Sequence, residues 1–160
     1  MSAGSQSAGP QNRDWRAPLF WIVSRLAVLA YRTFPFRGHL PGAIGIIRRE
    51  GGFLVIDRND GHGLSFVGGM SHRREEPLKT LNREVEEETG LKISSATLLF
   101  HYQDDAIFPA EIFVFEAQAS GELHGSWEGE PVVADLEDLR SRIIRSQRRV
   151  VEWLSAEIAQ

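Results

Sequence analysis

Hydrophobic residues gather in short β-rich runs in one block of the chain, alternate in a second block, and follow a helical period between and after those blocks. In the first block, AIGIIRR (residues 43–49) and FLVIDR (53–58) read as short strands joined by Glu50-Gly51-Gly52, a hairpin signal. Asn59-Asp60-Gly61 marks a turn into a third strand, residues 64–67, which delivers the chain to Gly68-Gly69 and a loop. Pro77 then suits the first position of a helix, Leu78, Leu81 and Val85 recur at helical spacing, and Gly90-Leu91 supply a stop with an apolar latch. The pattern predicts a helix of about three to four turns. KISSATLLFHY (92–102) and EIFVFEAQA (111–119) alternate as strands around a turn at 104–110; a loop fills 120–131, and VVADL returns to the sheet. Stripes at Leu136/Leu139/Ile143 and Val150/Val151/Leu154/Ile158 predict two helices, over residues 135–145 and 146–159. Strands on both sides of one helix, with helices at the end, predict an α/β fold with a mixed sheet covered on both faces.

The amino-terminal part follows other rules. Residues 1–13 are rich in Ser, Gly, Ala and Gln, the composition of a disordered tail. Residues 19–31, LFWIVSRLAVLAY, are apolar apart from Ser24 and Arg25, too short and too interrupted for a membrane span of about 20 apolar residues. Arg25 also argues against a secretory signal. As a helix this segment is apolar almost all round and must bury its surface. Its own domain, a homodimer, or a membrane interface with Trp21, Tyr31 and the arginines near the headgroups are the candidate hosts. The expected division is a tail (1–13), an apolar helix with its linker (14–41), and one domain (42–160).

Length and composition narrow the function. At 160 residues the chain is one ordinary domain with a short extension. A net charge of −4 argues against a broad nucleic-acid surface. The absence of cysteine excludes a disulfide framework and a thiolate site, and fits a cytoplasmic protein, with membrane-peripheral contact through residues 19–31 as the alternative. The 5 histidines are scattered, with no i, i+4 pair for zinc.

The predicted central helix carries more than its stripe. Glu84, Glu87 and Glu88 fall at i, i+3 and i+4, a spacing that puts like charges on one face and costs a few tenths of a kcal/mol per pair. Glu87 and Glu88 also lie in the last turn, where the helix dipole favours cations. A hard divalent cation, which wants several oxygen ligands, would turn that repulsion into binding; a solvated acidic face is the plain alternative.

The wider pattern shifts the weight between them. Gly69, Glu75, Arg83, Glu84, Val85, Glu87, Glu88, Gly90 and Leu91 resemble, without a miss, the signature Gly-x5-Glu-x7-Arg-Glu-U-x-Glu-Glu-x-Gly-U (U aliphatic) of the Nudix hydrolases, MutT-like proteins. Chance would produce such a match on the order of 10⁻⁹ times per start site at average residue usage, so the signal is specific although it spans only residues 69–91. The resemblance implies a Nudix-type α/β/α sandwich and an Mg²⁺-dependent pyrophosphohydrolase, with Mn²⁺ as a substitute. Such an enzyme cleaves the diphosphate linkage of a nucleoside diphosphate joined to another group, by attack of water at phosphorus. It further implies Glu84, Glu87, Glu88 and the Gly68 carbonyl as metal ligands and Arg83 as an orienting group paired with Glu75. Gly69 and Gly90 are structural members of the motif.

The base is open between Glu84 and a downstream carboxylate, Glu128 or Glu130. Arg58 resembles a basic position that contacts substrate phosphate, and a strand-end arginine in solvent is its plain alternative. The pattern departs from the family at Val67, at Thr80-Leu81, and at Arg74, where many relatives have glycine. Pro109 and Tyr102 fall near, but not on, positions that mark ADP-ribose and dinucleoside polyphosphate enzymes, and Trp127, Phe108 and Phe113 are candidates for stacking a base. A (deoxy)nucleoside triphosphate is the expected substrate. ADP-ribose or another nucleotide sugar is the alternative, and a non-catalytic nucleotide-sensing domain is a third reading.

Overall fold

The computed structural model describes residues 39–105 and 109–159. The tail, the apolar segment at 19–31 and Phe108 lie outside the described residues. Among the described residues, seven strands and three α-helices follow the order β1 (Leu40–Ile46), β2 (Arg48–Arg49), β3 (Gly52–Arg58), β4 (Leu64–Met70), α1 (Pro77–Thr89), β5 (Lys92–Asp104), β6 (Ala110–Ser120), β7 (Gly129–Ala134), α2 (Leu136–Arg142) and α3 (Arg148–Ile158). A 3-10 turn, Arg145–Gln147, precedes α3.

The strands form a mixed sheet in the order β2-β3-β4-β1-β6-β5, with β7 also paired to β3. β1 runs parallel to β6 and antiparallel to β4; the remaining pairs are antiparallel. Alternation sends Ile44, Ile46, Phe53, Val55, Leu64, Phe66 and Val114 to one face, where they pack with Leu139, Ile143, Val150, Val151 and Leu154 of the carboxy-terminal elements. Ala43, Ile47, Leu54, Ile56, Val67 and Phe115 face the other way, onto Leu81 and Val85 of α1. The result is the α/β/α sandwich, with α1 covering one sheet face and the carboxy-terminal helices the other.

Several expectations need correction. The run 43–49 is not one strand: it breaks at Ile47, so that β1 joins β4 and β6 while only Arg48–Arg49 pairs back on β3. The third strand continues through Gly68 and Gly69 to Met70, so the glycines are strand residues paired with Ile44 and Ala43, not loop residues. The helix expected over 135–145 stops at Arg142, because the Ile144 N–H is spent on the Leu64 carbonyl at 2.9 Å and Ile143 bridges the same strand end. Strand β7 also begins earlier than residue 132 and takes Gly129–Pro131 out of the preceding loop.

α1 forms as its ends dictate. Pro77 is preset for the first turn, and Gly90 takes the left-handed conformation (φ 73°) that a residue with a Cβ resists, its N–H closing on the Glu86 carbonyl at 3.0 Å. The buried stripe differs from the expected one. Leu78 is 43% exposed, and the inward positions are Thr80, Leu81, Val85, Glu88 and Thr89. A carboxylate therefore sits where a third core side chain belongs. Among the described residues no helix is long and apolar enough to cross a membrane.

Candidate active site

The last two turns of α1 place their carboxylates in three different environments. Glu88 continues the Leu81–Val85 stripe and is 5% exposed. Its Oε2 accepts the Gly68 N–H at 2.9 Å, and its other oxygen accepts no hydrogen bond among the described residues. Loss of water on burial pushes the carboxyl up to about 8; the Gly68 N–H opposes the shift, and the charges of Glu128 and Glu84 add to it. Glu84 is half-buried against the backbone of Gly69, where a Cβ would lie 2.5 Å from Oε1. A side chain at that position would displace the carboxylate. Burial raises the Glu84 pKa, while Arg83 Nη1, 2.7 Å from Oε1, opposes the rise. Glu87 is exposed and 3.3 Å from the same guanidinium.

Arg83 joins these groups to the loop before the helix. Its Nε and Nη2 donate to the two oxygens of Glu75 at 3.1 and 3.0 Å, and Nη2 also donates to the Met70 carbonyl at 3.2 Å. A planar fork with five N–H groups can hold that many partners in fixed directions; a lysine cannot. Glu75 also accepts the His72 N–H at 2.8 Å and the Thr80 hydroxyl at 3.0 Å. Arg83 first, then the His72 N–H, hold the Glu75 carboxyl down at about 2. The intervening Arg74 is the one described non-glycine residue with positive φ, 65°. Glycine would relieve that conformation.

The structure brings Glu128 to this group. It lies close enough to Glu84 and Glu88 for its charge to raise both carboxyl groups. Glu130, the other downstream candidate for the base, instead lays its carboxylate over Gly125. Arg58 is near enough to feel Glu128 and Glu88, but its guanidinium is engaged by the carboxylate of Asp60, which it holds at about 2. Of the aromatic candidates, Phe113 packs toward the α1 core and stacks on His101, with ring centroids 5.5 Å apart, while Trp127 is 60% exposed.

The strand segment Gly68–Met70 that touches Glu88, Glu84 and Arg83 also lines a cavity of about 160 Å³. Ile44, Tyr102 and Ile112 give it apolar walls, and Asp104, Ser146 and Gln147 give it polar ones. Gln147 is buried, its Oε1 held by the Phe66 N–H at 2.7 Å, which leaves the amide nitrogen as the group it offers. Tyr102 donates its hydroxyl to the Ser146 carbonyl at 2.9 Å. Sequence reasoning missed Ser146 and Gln147, which carry no local signal and reach the site only through the turn before α3.

Among the described residues, no three Asp, Glu or His groups converge into a closed metal cage. The donor set nevertheless suits a hard cation. Arg83 draws Glu84 and Glu87 toward itself, whereas Glu88 keeps one carboxylate oxygen without a donor among the described residues, in a place that penalises its charge. Mg²⁺ commonly uses one or two carboxylates, keeps water, and takes further oxygens from substrate phosphates. Glu88, Glu84, Glu128 and a strand carbonyl offer oxygen only.

A family model described as the NUDIX domain matches residues 38–154. Among solved structures, the fold is similar to a MutT NUDIX hydrolase from Burkholderia pseudomallei (26% identity, TM-score 0.63, covering 72% of this chain and 98% of that one). It is also similar to the E. coli ORF135 protein (19%, TM-score 0.66, 76% and 93%) and to the MutT protein from Methanosarcina mazei Go1 (19%, TM-score 0.62, 79% and 100%). The last two share the fold at identities too low to speak to activity. No curated protein matches the chain.

Proposed function

The chain belongs to the Nudix family of hydrolases, and on that premise we propose that it cleaves the diphosphate linkage of a nucleoside triphosphate with the help of Mg²⁺. Nudix hydrolases act on pyrophosphate linkages of nucleotides and use divalent cations. The observation that carries the finer reading is Glu88: a buried carboxylate with a single N–H donor, flanked by Glu84 and Glu128. Such a group gains more from a cation than an exposed glutamate does, since the ion removes the penalty of its burial.

In this reading Glu88 and Glu84 would hold the cation, with Glu87 and the Gly68 carbonyl as the further oxygens of the protein's donor set. A bound Mg²⁺ would neutralise the diphosphate and polarise the phosphorus under attack. Arg83 and Glu75 keep the loop and helix in register so that the carboxylates stay aimed at one place. Glu128, brought over these carboxylates from outside the helix, takes the proton from the attacking water. Arg58, released from Asp60, balances charge on the phosphates. The cavity at Gly68–Met70 is small against the ~300–1,000 Å³ of a pocket for a whole drug-sized ligand. It would admit one flat ring system, and the phosphates would remain outside, against the glutamates. A base in the cavity and a phosphate chain on the carboxylates favour a nucleoside triphosphate over a nucleotide sugar, whose second sugar would need further space.

The test is release of pyrophosphate or phosphate from a panel of nucleoside triphosphates, ADP-ribose and nucleotide sugars in Mg²⁺. Turnover of triphosphates, lost by at least about 10²-fold in Glu88→Gln, is expected. Turnover confined to ADP-ribose or sugars, or unchanged in the variant, would contradict the proposal.

A further inference from the structure

Glu128 lies outside the signature, on a loop, and a loop carboxylate serves in catalysis only if something fixes it. The loop Gly121–Glu128 is tied down at both ends. At its α1 end the His124 N–H donates to the Thr89 carbonyl at 3.0 Å, and the His124 ring lies against Gly90, where a Cβ would come within 2.2 Å of Nε2. At its other end the Ser126 N–H reaches the Gly129 carbonyl at 3.0 Å, and the Glu128 N–H reaches Ser126 Oγ at 3.2 Å. The carbonyls of Trp127 and Glu128 both go to one residue. Asn59 donates its backbone N–H to the Glu128 carbonyl at 2.9 Å and its side-chain Nδ2 to the Trp127 carbonyl at 3.2 Å.

Asn59 itself is rigidly placed. It follows Arg58, which is paired with Gly129 in the β3–β7 ladder, and its turn is closed by the Gly61 N–H on the Arg58 carbonyl at 3.2 Å. The carboxylate of Asp60 locks the Arg58 side chain over the same turn. Gripping two successive carbonyls fixes the planes of the two peptides that flank Glu128, and with them the direction in which the Glu128 side chain leaves the backbone. Among residues of this size only asparagine offers a second donor at that reach; aspartate would set a carboxylate against the Trp127 carbonyl.

We propose that Asn59 is a positioning residue for the hydrolysis, holding the peptide at Trp127 so that the Glu128 carboxylate stands over the Glu84–Glu88 face. This rests on the reading that Glu128 acts in the reaction. The test is a double-mutant cycle on kcat and KM in Mg²⁺, with the nucleoside triphosphate that is cleaved fastest, using Asn59→Ala, Glu128→Gln and the double variant. Asn59→Asp serves as a second probe of the same contact. The expected result is a fall in kcat of about tenfold in Asn59→Ala, the scale of a modest misplacement, with KM within about twofold. In the Glu128→Gln background the Asn59→Ala change should cost nothing further, because the group it aims is gone. Independent, multiplying losses would overturn the proposal, and so would a lowered Tm with kcat intact, which is the mark of a purely structural turn residue. A crippled Glu128→Gln beside a wild-type Asn59→Ala would sink Asn59 alone. Wild-type turnover in Glu128→Gln would remove the reading on which the proposal rests.

Discussion

Replacing Glu88 by glutamine tests the buried carboxylate independently of catalysis, through the stability of the metal-free protein. The carboxyl is pushed up to about 8 in the folded chain against an ordinary value of 4.5, chiefly by burial. Between those values the folded protein holds a proton that the unfolded chain has lost, so stability falls as pH rises, by about 1.4 kcal/mol per pH unit. The full span sets an upper bound of about 5 kcal/mol by the same conversion. Relaxation and water entry around a buried carboxylate reduce such penalties, and a loss of about 2 kcal/mol by pH 8 is the expectation. Glutamine keeps an oxygen for the Gly68 N–H and never ionises. In EDTA, urea unfolding of the two proteins should therefore coincide near pH 5 and diverge toward pH 8, with Glu88→Gln the more stable. Excess Mg²⁺ should restore the wild type and leave the variant unmoved, since only the carboxylate gains from the ion. Parallel stability curves, or a variant uniformly weaker at every pH, would refute the reasoning.

Other consequences follow from the same geometry. Arg83→Lys keeps the charge but loses the fork that reaches Glu75, Glu84, Glu87 and Met70; turnover should drop about 10²-fold, the scale of losing aligned electrostatic groups, and wild-type kcat would show that the fork is dispensable. The Glu75 carboxyl, held at about 2 by Arg83 and the His72 N–H, has a depressed folded-state pKa, so its contribution is present above 4.5 and is lost as pH falls toward 2. Glu75→Gln should flatten that acid limb of a Tm-against-pH curve, and an unchanged limb would contradict the pairing. Arg74→Gly relieves a left-handed residue at φ 65° and should stabilise by about 0.5–1 kcal/mol in urea unfolding, after the added freedom of the unfolded chain is subtracted; destabilisation would mean that the arginine side chain makes the loop.

How much of this was legible beforehand depended on how local each cause was. The helix and its ends were, because Pro77 and Gly90 act through their own backbone. The signature spacing likewise located the acidic cluster. The burial of Glu88 was hidden, because periodicity counts apolar residues and a glutamate one turn after Val85 reads as surface, while Leu78, counted as core, is exposed. The end of α2 at Arg142 depends on Leu64, and the cavity draws Tyr102, Ser146 and Gln147 from separate elements. Such contacts are made by the fold and leave no trace in neighbouring residues. Asn59 read as an ordinary turn residue, and only the register of β3 with β7 gives its amide a target. Arg74 shows the reverse case: a departure from the family pattern at a glycine position marked the one described non-glycine residue held at positive φ.

The central claim is that the α1 carboxylates, Glu88 first, grip a divalent cation against a phosphate chain. Calorimetric titration of Mg²⁺ into the protein, alone and with a non-hydrolysable nucleoside triphosphate analogue, measures that directly. Uptake that tightens with the analogue and is lost in Glu88→Gln is the predicted result; no uptake in either setting, or equal uptake by wild type and variant, would contradict it.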